Sequence, residues 1–178
     1  MLLSIENVIK LVISCLVGIF FSCQYNNKDI PAVKEKDFSK EMISLNQEIV
    51  RREKADIELI AKRYAWNLTQ TESGLYYQIV HQTKGEYPQK KDKVKIKGII
   101  MLAGGKQLYN SATDGVKEFI VNLSDEPVGL HELVQLMRKG EKVHAIIPSY
   151  LAYGTSGNGI DVPPLASLIC KLELININ

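Results

Sequence analysis

Near the C-terminus, Ile147-Pro148-Ser149-Tyr150-Leu151-Ala152-Tyr153-Gly154 is followed by Gly159-Ile160-Asp161-Val162-Pro163-Pro164-Leu165-Ala166-Ser167-Leu168. An apolar run stops at a proline, a tyrosine and a glycine make a turn, a Gly/Ser/Asn loop follows, and a double proline leads into the terminal apolar run. Proline locks φ and glycine permits φ above zero, so this string holds Tyr153 at a defined place in a turn. What it offers chemically is a positioned hydroxyl among apolar side chains. The usual machinery of covalent and metal-assisted catalysis has no counterpart. His81, His131 and His144 are far apart, with no HxxxH and no cysteine pair, and no Gly-x-Ser-x-Gly, P-loop or GxGxxG stands between a strand and a helix. Neither a metal nor a cofactor is expected.

The order of residues 147–168 resembles the FK506-binding family of peptidyl-prolyl isomerases. A helix ending in a tyrosine and then Thr71-Glu72-Ser73-Gly74-Leu75-Tyr76-Tyr77 is similar to the entry into the isomerase domain of its secreted bacterial members. The resemblance covers residues 70–178 and implies an α+β fold, a curled antiparallel sheet wrapped around one short helix. It also implies a reaction that suits the residues present. Turning an amide bond meets a barrier of about 18–20 kcal/mol because twisting breaks its resonance. Neither a nucleophile nor a base is needed. A water-poor apolar pocket favours the twisted amide, and a hydroxyl donor steadies the neighbouring carbonyl.

Carried over residue by residue, the resemblance makes Tyr153 the donor to the substrate carbonyl. It places Tyr109 and Asn110 beside Tyr153 as catalytic, because Tyr109-Asn110-Ser111 matches the family's Phe-Asp-Ser. Phe119, Val128, Leu130, Ile160, Val162 and Cys170 become the substrate-binding pocket, although Phe119 and Leu130 read equally well as ordinary core. Three departures stand out. Asn110 replaces a carboxylate, Gly98 or Ile99 stands where a tyrosine is usual, and Cys170 takes the place of an aromatic. A pocket with fewer aromatic walls is wider and wetter, so weak isomerase activity is expected; a chaperone or scaffold of the same fold is the alternative, and an adhesin-like or structural lipoprotein a third.

The elements that must position these residues are legible from periodicity. Phe38, Met42, Leu45, Ile49, Ile57, Ile60 and Tyr64 recur at helical spacing, so residues 38–65 read as an amphipathic helix within a helical segment of residues 38–69. Its apolar stripe can pack on the domain, contact another protein, or form a homodimer. Strands are predicted at residues 73–80, 91–102, 107–110, 118–123, 142–147 and 168–177. Leu130, Leu133, Val134 and Met137 give i, i+3, i+4, i+7, a short helix that Gly140 is placed to end. Lys93, Lys95 and Lys97 alternate with Val94 and Ile96, the pattern of a strand with one solvated face.

Residues 1–22 are different material. Lys10 precedes the apolar run Leu11 to Phe21, which ends at Ser22 before Cys23, as in a secretory signal peptide and, more narrowly, a bacterial lipoprotein box in which Cys23 is acylated. A plain cleaved signal and an uncleaved anchor are the alternatives. Residues 23–37 then form a lipid-anchored tether, and the isomerase-like domain spans residues 70–178. With Cys15 removed and Cys23 acylated, Cys170 remains the one unmodified cysteine of the mature chain and reads as a buried thiol. With 46% apolar residues, 24% charged residues and a net charge of +2, no nucleic-acid partner is expected. Together these features are similar to the isomerase lipoproteins associated with gliding motility in Bacteroidetes. The implied partners are proline-containing exported polypeptides, met at the periplasm-facing side of the envelope, the outer membrane rather than the inner.

Overall fold

The computed structural model describes residues 35–178, so the signal peptide, Cys23 and nearly all of the tether lie outside the described residues. The chain divides into two units, Met1–Leu45 and Asn46–Asn178. Helix α1, Glu35–Tyr64, begins in the first and ends in the second. In the first unit, its side chains from Ser39 to Leu45 are exposed, Met42, Ile43 and Leu45 among them. No helix of the described residues is long and apolar enough to cross a membrane.

The second unit is an antiparallel sheet. Its strands are β1 Thr69–Gln70, β2 Tyr76–His81, β3 Lys93–Leu102, β4 Gln107–Asn110, β5 Lys117–Ile120, β6 Lys142–Ile147 and β7 Leu168–Ile177. They run in the order β1-β2-β6-β7-β3, and β4 and β5 share the far edge of β3 end to end. Helix α2, Ser111–Asp114, bridges β4 to β5, and helix α3, Val128–Gln135, lies against the inner face of the sheet. The alternation of β3 is realised as predicted. Val94 and Ile96 are fully buried, Lys95 pairs with Glu118 at 2.9 Å, and Lys97 pairs with Glu173 at 3.1 Å.

Two runs do not alternate, Ala145-Ile146-Ile147 and Leu168-Ile169-Cys170, because the middle of the sheet is covered on both faces. Ala145, Ile147, Leu168 and Cys170 join Leu130, Leu133 and Val134 of α3 in the main core. Ile146 and Ile169 point the other way and meet Ile57 and Ile60 of α1. A strand buried on both sides reads as continuous apolar sequence. The later half of the α1 stripe is thus covered by its own domain.

Helix α1 ends by a Schellman arrangement, with the Trp66 amide donating to the Ala61 carbonyl at 2.9 Å and Ala65 in the left-handed region at φ 53°. A non-glycine residue is disfavoured there, and the Trp66 ring holds it in place. That ring stacks on Tyr64 at 4.9 Å and on His144 at 4.4 Å.

Some boundaries differ from expectation. Strand β5 stops at Ile120 because Asn122 turns left-handed at φ 61° and the Leu123 and Ser124 amides both donate to the Ile120 carbonyl. Helix α3 starts at Val128 and stops at Gln135, well before Gly140, which serves instead in the turn into β6. The four-residue α2 was not anticipated.

Burial, and then the nearby charge of Lys171, hold the His144 imidazole below its ordinary pKa, and its buried Nδ1 has no hydrogen-bond partner. Protonation would strand a second N–H there. The unfolded chain takes up this proton first, near pH 6.5. Stability is therefore expected to fall as pH drops below about 6.5. Urea melts at neutral and mildly acidic pH should show a larger loss for the wild type than for His144→Gln.

Candidate active site

A cavity of about 90 Å³ opens between α3 and the 147–168 segment. Leu130 of α3, Ile100 of β3, Ile147 of β6, Leu168 of β7 and Val162 give it apolar walls. Ligand pockets for drug-sized molecules run to about 300–1,000 Å³, so this one suits a single small ring. The described residues contain no cluster of three or more His, Cys, Asp or Glu that could hold a metal ion.

Three tyrosines of the site region have different engagements. The Tyr150 hydroxyl donates to the Ser73 carbonyl at 3.0 Å, and Gly74 makes room for it, since a Cβ there would lie 1.8 Å from the Tyr150 oxygen. The Tyr109 hydroxyl donates to the Gly115 carbonyl at 2.8 Å and accepts from the Lys117 amide at 3.0 Å. Tyr153 lines the cavity, is half-buried, and its hydroxyl makes no hydrogen bond to any described residue. Burial, then the negative charges of Glu126, Asp161 and Asp125, push its pKa above the ordinary tyrosine value. It therefore stays protonated and free to donate.

The structure brings together Tyr153, Tyr109, Leu130 and Val162 of the residues singled out from sequence. The others lie outside the cavity lining. Asn110 caps α2, accepting from the Ala112 amide at 3.0 Å while its own amide donates to Gln107 at 3.0 Å. Phe119 is buried edge-on to His131 at 5.4 Å. Cys170 is fully buried opposite Ile100 and Ala145, and burial pushes its thiol up to about 12. Val128 and Ile160 are exposed, at 67% and 91%, beside the lining residues Pro127 and Asp161. Gly98 leaves no space for an aromatic wall, since a Cβ there would stand 2.0 Å from the Lys171 carbonyl oxygen; Ile99 packs on the outer face and Ile100 enters the cavity.

Sequence reasoning missed the polar part of the lining. Lys117 and Glu126 form an ion pair at 2.7 Å, with the Lys117 ammonium 5.6 Å from the centre of the Tyr109 ring. Asn158 accepts the amides of Ile160, Asp161 and Val162 at 3.1, 3.0 and 2.8 Å and donates to the Asp161 carboxylate at 2.7 Å. An asparagine capping a Gly-rich turn is a recognisable signal. The ion pair, nine residues apart across an irregular loop, has none.

The family model described as FKBP-type peptidyl-prolyl cis-trans isomerase matches residues 84–175, a little over half of the chain. Among curated proteins, a probable FKBP-type peptidyl-prolyl cis-trans isomerase of Haemophilus influenzae is 28% identical over 158 residues, covering 82% of this chain and 65% of that protein. The FKBP-type peptidyl-prolyl cis-trans isomerase FkpA of Escherichia coli is 30% identical over 146 residues, covering 79% of this chain and 53% of that protein. The chain thus spans about half to two thirds of these relatives' length. The crystal structure of Escherichia coli FkpA superposes with a TM-score of 0.61 at 23% identity, covering 100% of this chain and 84% of that one, which establishes the fold as FK506-binding.

The Tyr109 hydroxyl serves the wall of the cavity and not its contents. Tyr109→Phe leaves the Lys117 amide without its acceptor, and an unsatisfied buried donor costs about 1–3 kcal/mol. A urea melt should show a loss of that size.

Proposed function

The chain belongs to the FKBP-type peptidyl-prolyl cis-trans isomerase family, and from that premise we propose that it catalyses cis-trans isomerisation of X-Pro bonds in polypeptides. The proline ring sits in the cavity against Leu130, Ile147 and Val162. X-Pro bonds interconvert unaided over roughly tens to hundreds of seconds, so stabilising the twisted amide by a few kcal/mol is a useful acceleration. Exclusion of water by the apolar walls favours the twisted, less polar amide, and Tyr153 donates to a substrate carbonyl as the bond turns. The observation that carries this reading is the Tyr153 hydroxyl, held at the cavity, protonated, and unengaged by any described residue. Exposed Val128 and Ile160 beside the lining give the flanking residues of the polypeptide apolar contacts.

The reading extends to location and clients. Acylation of Cys23 after removal of residues 1–22 tethers the domain of residues 70–178 to the periplasm-facing side of the envelope, where it assists folding of exported proteins. The likeness to the gliding-associated lipoproteins of Bacteroidetes rests on the leader, tether and helix in the sequence. A weakly catalytic chaperone is the second reading, favoured by a groove of about 500 Å³ between α1 and the segments 102–106 and 163–167, wide enough for apolar side chains of an unfolded chain. The exposed stripe residues Met42 and Leu45 leave a homodimer through residues 38–65 as a further proposal.

Two measurements test these statements. In a proline-peptide isomerisation assay the wild type accelerates exchange, and Tyr153→Phe, losing a hydrogen bond worth about 0.5–1.5 kcal/mol, lowers kcat/KM roughly two- to tenfold with little change in stability. Wild-type exchange at the uncatalysed rate, with aggregation of an unfolded client still suppressed, would favour the chaperone reading. For the anchor, metabolic labelling with palmitate should mark the wild type and not Cys23→Ala, and an unlabelled wild type rejects lipidation.

A further inference from the structure

The apolar cavity carries one carboxylate that no described residue neutralises. Asp161 is half-buried in the lining, and one of its oxygens accepts from the Asn158 side-chain amide at 2.7 Å. Its other oxygen takes no hydrogen bond from any described residue, and no described Lys, Arg or His lies within ion-pair distance of it. The cations nearby are engaged elsewhere. Lys117 is paired with Glu126 at 2.7 Å, and Lys106 donates to the main-chain oxygen of Asp161 at 3.0 Å and not to its carboxylate.

The position of this carboxylate is fixed. Asn158 gathers the amides of residues 160, 161 and 162, and Gly157 lets the loop close, since a Cβ there would lie 2.2 Å from the Val162 carbonyl oxygen. A pre-placed acceptor with a vacant oxygen, at the edge of a cavity that takes the proline ring, faces whatever flanks that proline. An anionic side chain there meets Asp161 and gains nothing from Lys117, whose charge Glu126 already satisfies. A cationic one reaches an acceptor that is partly shielded from water.

We infer that Asp161 is a specificity-determining residue that selects polypeptides in which a lysine or arginine adjoins the isomerised proline. This rests on the isomerase reading above. The rim is negative overall even with both lysines counted, because Glu126, Asp161 and Asp125 all act on Tyr153. A partly exposed charge pair is worth about a two- to fivefold preference.

The test uses the full chain and a protease-free exchange measurement by NMR, with peptides of the form Ala-Xaa-Pro-Phe and Ala-Pro-Xaa-Phe in which Xaa is Lys, Leu or Glu. The expected order of kcat/KM is Lys above Leu above Glu in at least one series. Asp161→Asn keeps the acceptor for Asn158 and removes only the charge, so the ratio of Lys to Glu peptides should fall towards one. Lys106→Ala, which removes a nearby opposing charge, should raise it. The wild-type preference should also shrink in 1 M salt, where the screening length is about 3 Å. Activity with equal ratios for the three peptides, or a ratio that Asp161→Asn leaves unchanged, overturns this inference and leaves the isomerase reading intact. No acceleration of any peptide overturns both.

Discussion

The structure depends on how closely α3 approaches β6. A Cβ on Gly129 would stand 2.3 Å from a methyl of Ile147 and 3.0 Å from Leu151, so only glycine permits the contact. Once the helix is seated, each following residue is given a task by its direction. Leu130 becomes the cavity floor. The His131 ring accepts the Asn122 amide at 3.1 Å through Nδ1, so Nε2 carries the proton and donates to the Ser124 carbonyl at 3.0 Å, which fixes the loop leading to Glu126. Glu132 accepts the hydroxyls of Thr71 at 2.9 Å and Ser73 at 2.6 Å, which fixes the segment whose Ser73 carbonyl anchors Tyr150. A shift of the helix by one methyl group therefore moves the floor, one wall and the turn that carries Tyr153 together, because close-packed interiors transmit such strain.

Against that scaffold, the ionic lining is the feature that departs most from a purely apolar pocket. Charges beside an apolar cavity are costly unless paired, and Lys117 and Glu126 satisfy each other while the Lys117 ammonium stands 5.6 Å from the centre of the Tyr109 ring. The wall that the pair builds is polar yet carries no net charge. Asp161 is the lining carboxylate left without a cationic partner among the described residues, since its neighbours Asn158 and Lys106 engage it without neutralising it. The amide rotation proposed for this chain needs no proton to move, so it tolerates charges that would upset an acid-base mechanism.

What was legible in the sequence follows from what each signal measures. Strand and helix periods report which side faces the core, and β3, α1 and α3 were readable in this way, while β6 and β7 were readable as apolar runs. The turn at residues 148–154 was readable because proline and glycine state their geometry directly. Ends of elements were not, since they depend on a single left-handed residue such as Asn122 or on which carbonyl two amides share. Within the site, Tyr153, Leu130 and Val162 were visible through the turn and its order. Phe119, Asn110 and Cys170 match positions by alignment, but where their side chains go was decided by His131, by the cap of α2, and by the crowded register opposite Ile100 and Ala145. The groups that charge the cavity come from strand β5 and two separate loops, and no spacing rule connects them.

The long helix is more than a spacer from the site. Glu53 of α1 accepts the Ser149 amide at 2.6 Å and the Ser167 hydroxyl at 2.7 Å. These two residues stand at the opposite ends of the segment that holds Tyr153, Asp161 and Val162. Ser149 opens the helical turn Ser149–Leu151, whose first amides have no partner within the turn, so a carboxylate there serves as its cap. With Ile57 and Ile60 packed on Ile146 and Ile169 one turn further along, the helix is fixed to the outer face by apolar contacts and reaches the segment of residues 149–167 through one carboxylate. The same sheet strands carry Ile147 and Leu168 into the cavity on their inner face. The helix on one side and the site on the other are therefore two faces of β6 and β7, and the continuous apolar runs of residues 145–147 and 168–170 are what join them.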